Sequence, residues 1–300
     1  MKTIVVLMST YNGENFLKEQ IDSVLAQEGV IVSLLVRDDG SSDGTLNILD
    51  EYASKGMLKW FSGENLKPAK SFFNLMKCAP NSDYYAFCDQ DDYWEKDKLV
   101  SAVEKLDCMN SEKPLLYCSA TKLVNAELRP INQKNRFPGV TDFKTAIISS
   151  NATGCTMCFN KKLLDFVNLY NPDVNIMHDG WVHKLCLAIG GEVFYDKKSH
   201  ILYRQHGKNV VGGNSSVLKK WKRRYQNLKT MCRIRSRAIQ EIAEKCKDLM
   251  PEQNYKMAGH IFNYEKTLFS RVSLAFNFEI KFPVKETDFI YRMAVLLGMF

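Results

Sequence analysis

Along the first two hundred residues the apolar positions switch repeatedly between short unbroken runs and runs of helical period. Ile4 to Met8 is continuous and reads as a buried strand. Phe16, Leu17, Ile21, Val24 and Leu25 then recur at helical spacing within Asn15 to Gln27, and Val30 to Val36 is strand-like again. The alternation continues with a helix carrying Leu46, Leu49 and Tyr52, a strand over Leu58 to Phe61, a helix over Ser71 to Cys78 and a strand over Tyr84 to Cys88. Strands joined through helices need crossover connections, so the pattern predicts an α/β fold with a mostly parallel central sheet. Beyond Asp92 it predicts a helix near Lys96 to Met109, a strand over Pro114 to Cys118, a polar loop from Asn125 to Pro138 and a strand over Gly154 to Phe159. A helix over His178 to Ile189, a break at Gly190-Gly191 and strands near Val193 to Tyr195 and Ile201 to Arg204 follow. From Ser215 helical periodicity dominates, interrupted at Pro251 and Pro283 and closing with Phe289 to Phe300. The division expected is an α/β unit over 1–214 and a mainly helical appendage over 215–300.

Composition agrees with a globular chain. Its 300 residues, 45% of them hydrophobic, can build a real core. No apolar stretch is long enough to span a bilayer, and the run after Met1-Lys2 is too short for a signal sequence, so a cytoplasmic location is expected. Nine cysteines, an odd number without paired spacing, predict reduced thiols. Cys155-Thr156-Met157-Cys158 has the gap of a redox or zinc site, but strand alternation would send its thiols to opposite faces and no second pair accompanies it. The net charge of +7 is concentrated in Lys219-Lys220-Trp221-Lys222-Arg223-Arg224 and in Lys229, Arg233, Arg235 and Arg237. No nucleic-acid module accompanies that patch, so a cytoplasmic membrane leaflet or a plain solvated helix face accounts for it.

The chemistry is clearest at Asp89-Gln90-Asp91-Asp92, directly after the strand Tyr84 to Cys88. Carboxyl ends of strands in an open sheet face a ligand crevice. Several carboxylates in one turn repel unless a cation or hydrogen-bond donors compensate, which suggests a divalent metal held with phosphate and makes an enzyme the leading reading. Ser9-Thr10-Tyr11-Asn12 ends the first strand and Arg37-Asp38-Asp39-Gly40-Ser41-Ser42-Asp43-Gly44-Thr45 ends the second. There a carboxylate can accept the imide N–H of uracil or thymine, Tyr11 can stack on a base, and Asp43 suits the cap of the next helix. Asp39 is assigned to nucleotide contact, because paired carboxylates exceed what one cap requires. Arg204-Gln205-His206 offers a cation and an imidazole suited to a diphosphate or its metal, and Lys208, Asn209 and Gly212-Gly213 suggest a loop able to close over a ligand.

Taken in order, these motifs and His178-Asp179-Gly180-Trp181 resemble a family-2 glycosyltransferase of the GT-A fold, close to bacterial rhamnosyltransferases of surface polysaccharide synthesis. The resemblance covers roughly the first 214 residues. It implies a Rossmann-like nucleotide-sugar-binding catalytic domain, inverting transfer to a saccharide hydroxyl, and Mn²⁺ or Mg²⁺ as cofactor. By it, Thr10, Tyr11, Asn12, Asp38, Asp39, Asp89 and Arg204 would bind the nucleotide-sugar, with Asp89 on the ribose. Asp91 and His206 would hold the metal, Asp179 would be the general base, and Trp181 would either wall the acceptor or pack in the core. The donor expected is dTDP-rhamnose or a UDP-sugar; the acceptor is a saccharide, lipid-linked, reached from the inner face of the membrane. Two other readings stand beside it: a sugar nucleotidyltransferase, which would need a Gly-rich basic loop in place of Ser9-Thr10-Tyr11-Asn12-Gly13-Glu14, and a noncatalytic nucleotide-binding scaffold.

Overall fold

The computed structural model describes residues 1–131, 139–150, 152–206 and 233–300. The basic run 219–229, the loop carrying Lys208 to Gly213 and the 214/215 boundary lie outside the described residues.

Eight strands form one mixed sheet. They are β1 (Thr3–Thr10), β2 (Ile31–Asp38), β3 (Lys59–Ser62), β4 (Tyr84–Cys88), β5 (Tyr93–Trp94), β6 (Leu115–Val124), β7 (Cys158–Asn160) and β8 (Glu192–Arg204), in the spatial order β3-β2-β1-β4-β7-β6-β8-β5. The first four are mutually parallel; β7 runs antiparallel between β4 and β6, and β6 pairs in parallel with β8. Seven helices accompany this sheet: α1 (Leu17–Leu25), α2 (Thr45–Ser54), α3 (Lys67–Cys78), α4 (Lys98–Asp107), α5 (Phe143–Ile148), α6 (Lys161–Leu169) and α7 (His178–Ala188). Four more follow, α8 (Ile234–Lys245), α9 (Glu252–Phe262), α10 (Leu268–Ala275) and α11 (Lys285–Leu296).

Strand alternation divides the core. Val5, Leu7, Tyr85 and Phe87 point to one face and pack with α3, α6 and α7, while Ile4, Val6, Met8, Tyr84, Ala86 and Cys88 point to the other and pack with α1, α2 and α4. All five residues of β4 are buried, as expected of a strand covered on both faces. The first of these clusters continues without a break into Ala238, Ile239 and Ile242 of α8 and Ile261 of α9, so the carboxyl-terminal helices share the core of the sheet.

Three sequence expectations change. The strand expected over Gly154 to Phe159 is a 3₁₀ turn at Gly154–Thr156 followed by the short β7. The two strands expected between Val193 and Arg204 are one irregular strand, because β6 runs on to Val124 and pairs along its length with register shifts near Ala120. Tyr93–Trp94 forms the edge strand β5 against β8, delaying the start of α4 to Lys98.

The register positions the chemistry. Thr10 pairs with Asp38 and Met8 with Cys88, so the carboxyl ends of β1, β2 and β4 stop at one level and their loops converge.

Candidate active site

A cleft of about 870 Å³ opens over these strand ends, lined among others by Thr10, Tyr11, Asn12, Asp39, Asp89, Asp91, Asp179 and His206. The loop after β1 is locked to the loop after β2. Asn12 takes a left-handed backbone, φ 48°, that asparagine tolerates; its N–H donates to Ser41 Oγ at 2.9 Å and its Oδ1 accepts from Ser42 N at 2.8 Å. Asp43 Oδ1 accepts from Thr45 N at 3.0 Å just ahead of α2, whose N-cap position is Gly44 and not Asp43.

Asp38 is not a ligand group. It is fully buried, and its two oxygens accept from Thr10 Oγ1, Gly40 N, Ser41 N and Ser41 Oγ. Four donors exhaust its lone pairs, so it shapes the turn instead of contacting nucleotide. Asp39 does reach the cleft, held by the Arg37 guanidinium on one oxygen and by Lys67 N at 2.8 Å on the other. Each oxygen keeps a lone pair for an incoming N–H.

The loop after β4 carries four residues with four different settings. Asp89 lines the cleft; burial, reinforced by the charges of Asp91 and Asp179, pushes its carboxyl up to about 7. Gln90 makes a clamp: Oε1 accepts from Tyr11 N at 2.9 Å and Nε2 donates to Tyr11 O at 3.1 Å. The clamp needs Gly13, because a Cβ there would stand 2.3 Å from Gln90 Oε1. Asp91 Oδ2 meets His206 Nε2 at 2.7 Å, joining the β4 loop to the end of β8. Asp92 is fully buried; its Oδ1 accepts from Arg204 N at 3.0 Å, and its Oδ2 has no hydrogen-bond partner among the described residues. Burial pushes its carboxyl well above the ordinary carboxylate range.

Arg204 is a correction. Only 2% exposed, it donates to the backbone carbonyls of Asp91 (Nε, 2.8 Å) and Ala126, pairs with Glu19 and stacks over Phe16 at 4.6 Å. It does not line the cleft; it braces the loop that presents Asp91. Trp181 is a second correction: it has no exposed surface, its indole N–H donates to Tyr170 O at 3.0 Å, and it packs in the core without reaching an acceptor.

Asp179 stands in the first turn of α7, where backbone amides favour the anion. Gly180 N donates to its Oδ1 at 2.6 Å, yet its carboxyl lies above the ordinary 3.8, because burial outweighs the amides of Gly180 and Gly154. Burial thus strengthens it as a base, where the helix terminus alone would weaken it. Beside it, His178 stacks on Phe72 at 3.9 Å with neither ring nitrogen bonded, and burial lowers it to about 3, so it is neutral. Gly154 permits this packing, since a Cβ would approach His178 Nε2 to 2.9 Å.

Sequence reasoning missed Gln90, Phe72, Lys67 and Tyr203 as cleft residues. Only Gln90 carried a signal, its place inside the acidic cluster. The oxygens of Asp89 and Asp92 and the Cys155 thiol also cluster within 4.8 Å of one another, a proximity of three separate segments that no spacing encodes.

The family model for glycosyl transferase family 2 matches residues 5–165, the span that builds β1 to β7 and the acidic loop. The chain belongs to that family. The transferase is 33% identical over 237 residues to the dTDP-rhamnosyl transferase RfbG of Shigella flexneri, covering 72% of this chain and 77% of the relative. It is 24% identical to an uncharacterized glycosyltransferase of Rickettsia typhi, over 68% of this chain and 64% of that one. Among solved structures, S. aureus TarS 1–349 in complex with UDP superposes with a TM-score of 0.58 at 20% identity, covering all of this chain and 80% of that one. The mannosyltransferase PcManGT of Pyrobaculum calidifontis, in complex with GDP-Man and Mn²⁺, gives 0.54 at 16% identity, covering 99% and 85%. These likenesses establish the GT-A fold of the transferase. Among the described residues no helix is long and apolar enough to cross a membrane.

Proposed function

We propose that the transferase is an inverting, metal-dependent enzyme that moves rhamnose from dTDP-rhamnose to a hydroxyl of a lipid-linked saccharide in cell-surface polysaccharide synthesis, working at the cytoplasmic side of the membrane. The donor is supported by the name of the Shigella relative; the roles of the residues are supported by their convergence. The single observation that carries the reading is that Asp91 with His206, Asp89 and Asp179, from three separate segments, line one cleft.

In this reading Asp39 receives the base, Tyr11, half exposed at the rim, stacks on it, and Thr10 and Asn12 shape that end. Asp89 contacts the ribose. The oxygen and imidazole donors of Asp91 and His206, already in contact, fit Mn²⁺ or Mg²⁺. Asp91 and His206 would hold it. A divalent cation supplies positive charge against the departing nucleoside diphosphate. Asp179 removes the acceptor hydroxyl's proton as that oxygen bonds to the anomeric carbon and the bond to phosphate oxygen breaks, which inverts the anomeric centre. Its raised affinity for protons makes it a better base.

The test is nucleoside diphosphate release by purified protein given dTDP-rhamnose, Mn²⁺ and an acceptor saccharide, with loss of release in Asp91→Asn. Release of pyrophosphate instead would convert the protein into a nucleotidyltransferase. Donor binding without turnover under any acceptor would make it a scaffold.

A further inference from the structure

Asp97 occupies the N-cap position of α4, yet its side chain makes no bond to the amides of its own helix. The carboxylate turns to β8 instead. Oδ1 lies 2.9 Å from His200 Nδ1, and Oδ2 accepts from Lys198 Nζ at 2.9 Å. The antiparallel register that pairs Trp94 of β5 with Ile201 of β8 sets Glu95 opposite His200, and Glu95 N donates to His200 O at 3.0 Å. Backbone pairing thus gathers one imidazole and two carboxylates, whose ligand atoms lie within 4.8 Å of one another. Donors on one ion at about 2.0–2.2 Å stand slightly closer together than that. Glu95 can close the difference, because it is part-exposed and its carboxylate accepts no hydrogen bond among the described residues.

His200 carries the second observation. It is only 2% exposed, and its Nε2 has no hydrogen-bond partner among the described residues. That nitrogen faces Asp196 Oδ2 at 3.5 Å, an oxygen that accepts from Tyr117 Oη at 3.1 Å. A neutral imidazole has one proton for two carboxylates. With the proton on Nδ1, toward Asp97, the Nε2 lone pair stands against the Asp196 anion. A cation on Nδ1 moves the proton to Nε2 and turns that repulsion into a donor facing a carboxylate, the arrangement by which a metal-ligating histidine is oriented. Lys198 opposes a cation, but its side chain is 65% exposed and bonds Oδ2, leaving Oδ1 toward the imidazole.

We propose that Glu95, Asp97 and His200 hold a divalent cation, Zn²⁺ by its preference for imidazole combined with carboxylate, that ties the start of α4 to β8. None of the three residues lines the cleft, so the site is separate from Asp91 and His206 and does not depend on the proposed reaction. Its place still bears on the cleft. The β5–α4 turn follows directly on Asp89 to Asp92, and β8 leads into His206, so the ion fastens together the two segments that meet at Asp91 and His206.

The experiment is calorimetric titration of ZnCl₂ into the purified chain, stripped with a chelator and carrying Asp91→Asn so that the cleft lacks its proposed metal ligand. One Zn²⁺ binds, and a hundredfold excess over its dissociation constant raises the melting temperature by about 5–10 °C. Asp196→Asn, which removes only the outer carboxylate, weakens binding by about 10–100-fold, and Glu95→Gln weakens it at least as much. Glu95→Gln breaks no side-chain hydrogen bond among the described residues, so it keeps the zinc-free melting temperature of its parent and separates lost binding from lost folding. Absence of Zn²⁺ binding overturns the proposal and leaves His200 an imidazolium between Asp97 and Asp196. Equal binding by Glu95→Gln also overturns it, placing the ion elsewhere, as on the exposed thiols of Cys78 or Cys108. Sugar transfer is not read, so failure of the proposed reaction leaves these outcomes unchanged.

Discussion

Arg204→Met separates bracing from ligand contact. The guanidinium serves two backbone carbonyls, Asp91 and Ala126, one carboxylate, Glu19, and the face of Phe16. Methionine fills the volume but donates nothing, so two carbonyls lose their donors at about 1–1.5 kcal/mol each. Glu19 is 46% exposed and regains water, so the ion pair adds less than the several kcal/mol expected of a fully buried one. With the cation–π contact, the sum is about 3 kcal/mol, which lowers the melting temperature by roughly 2–4 °C per kcal/mol. Catalysis suffers indirectly, because the Asp91 backbone loses its anchor. A displacement of an ångström at such a position costs about a hundredfold in kcat. Thermal unfolding and steady-state nucleoside diphosphate release against donor concentration measure the two effects together. A variant that melts with the wild type and shows only a raised donor KM would overturn the bracing role, since that is the signature of direct diphosphate contact.

For Asp179→Asn, transfer falls by about 10²–10⁴ while donor affinity, measured by titration calorimetry, stays within a few-fold. In the wild type the acid limb of kcat/KM lies above the ordinary carboxylate range, because the base must be ionised and burial raises its affinity for protons; activity is lost as pH falls through that raised value. Gly13→Ala pushes Gln90 off its clamp and raises the donor KM, whereas in a Gln90→Ala background the same change is nearly silent; a double-mutant cycle should show coupling of about 1 kcal/mol. Lys184 is buried, donates to Ala146 O and is lowered by burial from 10.5 to about 7. Between those values the unfolded chain holds a proton that the folded chain has released, so stability rises with pH there, by up to about 1.4 kcal/mol per unit; denaturant titrations of Lys184→Met should lack that rise.

The alternation of strands and helices through β4, the edge of the sheet at which the motifs stand and the identity of the acidic cluster were legible in the chain alone. These are local facts: continuous apolar runs specify strands covered on both faces, helical period specifies their crossovers, and polar motifs directly after strands must stand at the sheet's carboxyl edge. The motif order was enough to recognise the family. The tertiary structure decided which carboxylates face the cleft and which are spent. Asp38 and Asp39 are adjacent and chemically identical, yet four donors consume the first and leave the second with a lone pair on each oxygen. Arg204 turned inward because Glu19, Ala126 and Asp91 come from three distant segments that only the fold brings around it. Trp181 was core for the same reason, and Asp179 gained a raised proton affinity through burial, a quantity that depends on everything packed above it. Pattern fixes where a residue sits along an element; partners and solvent access, which decide what its side chain can do, are set by residues far away in the chain.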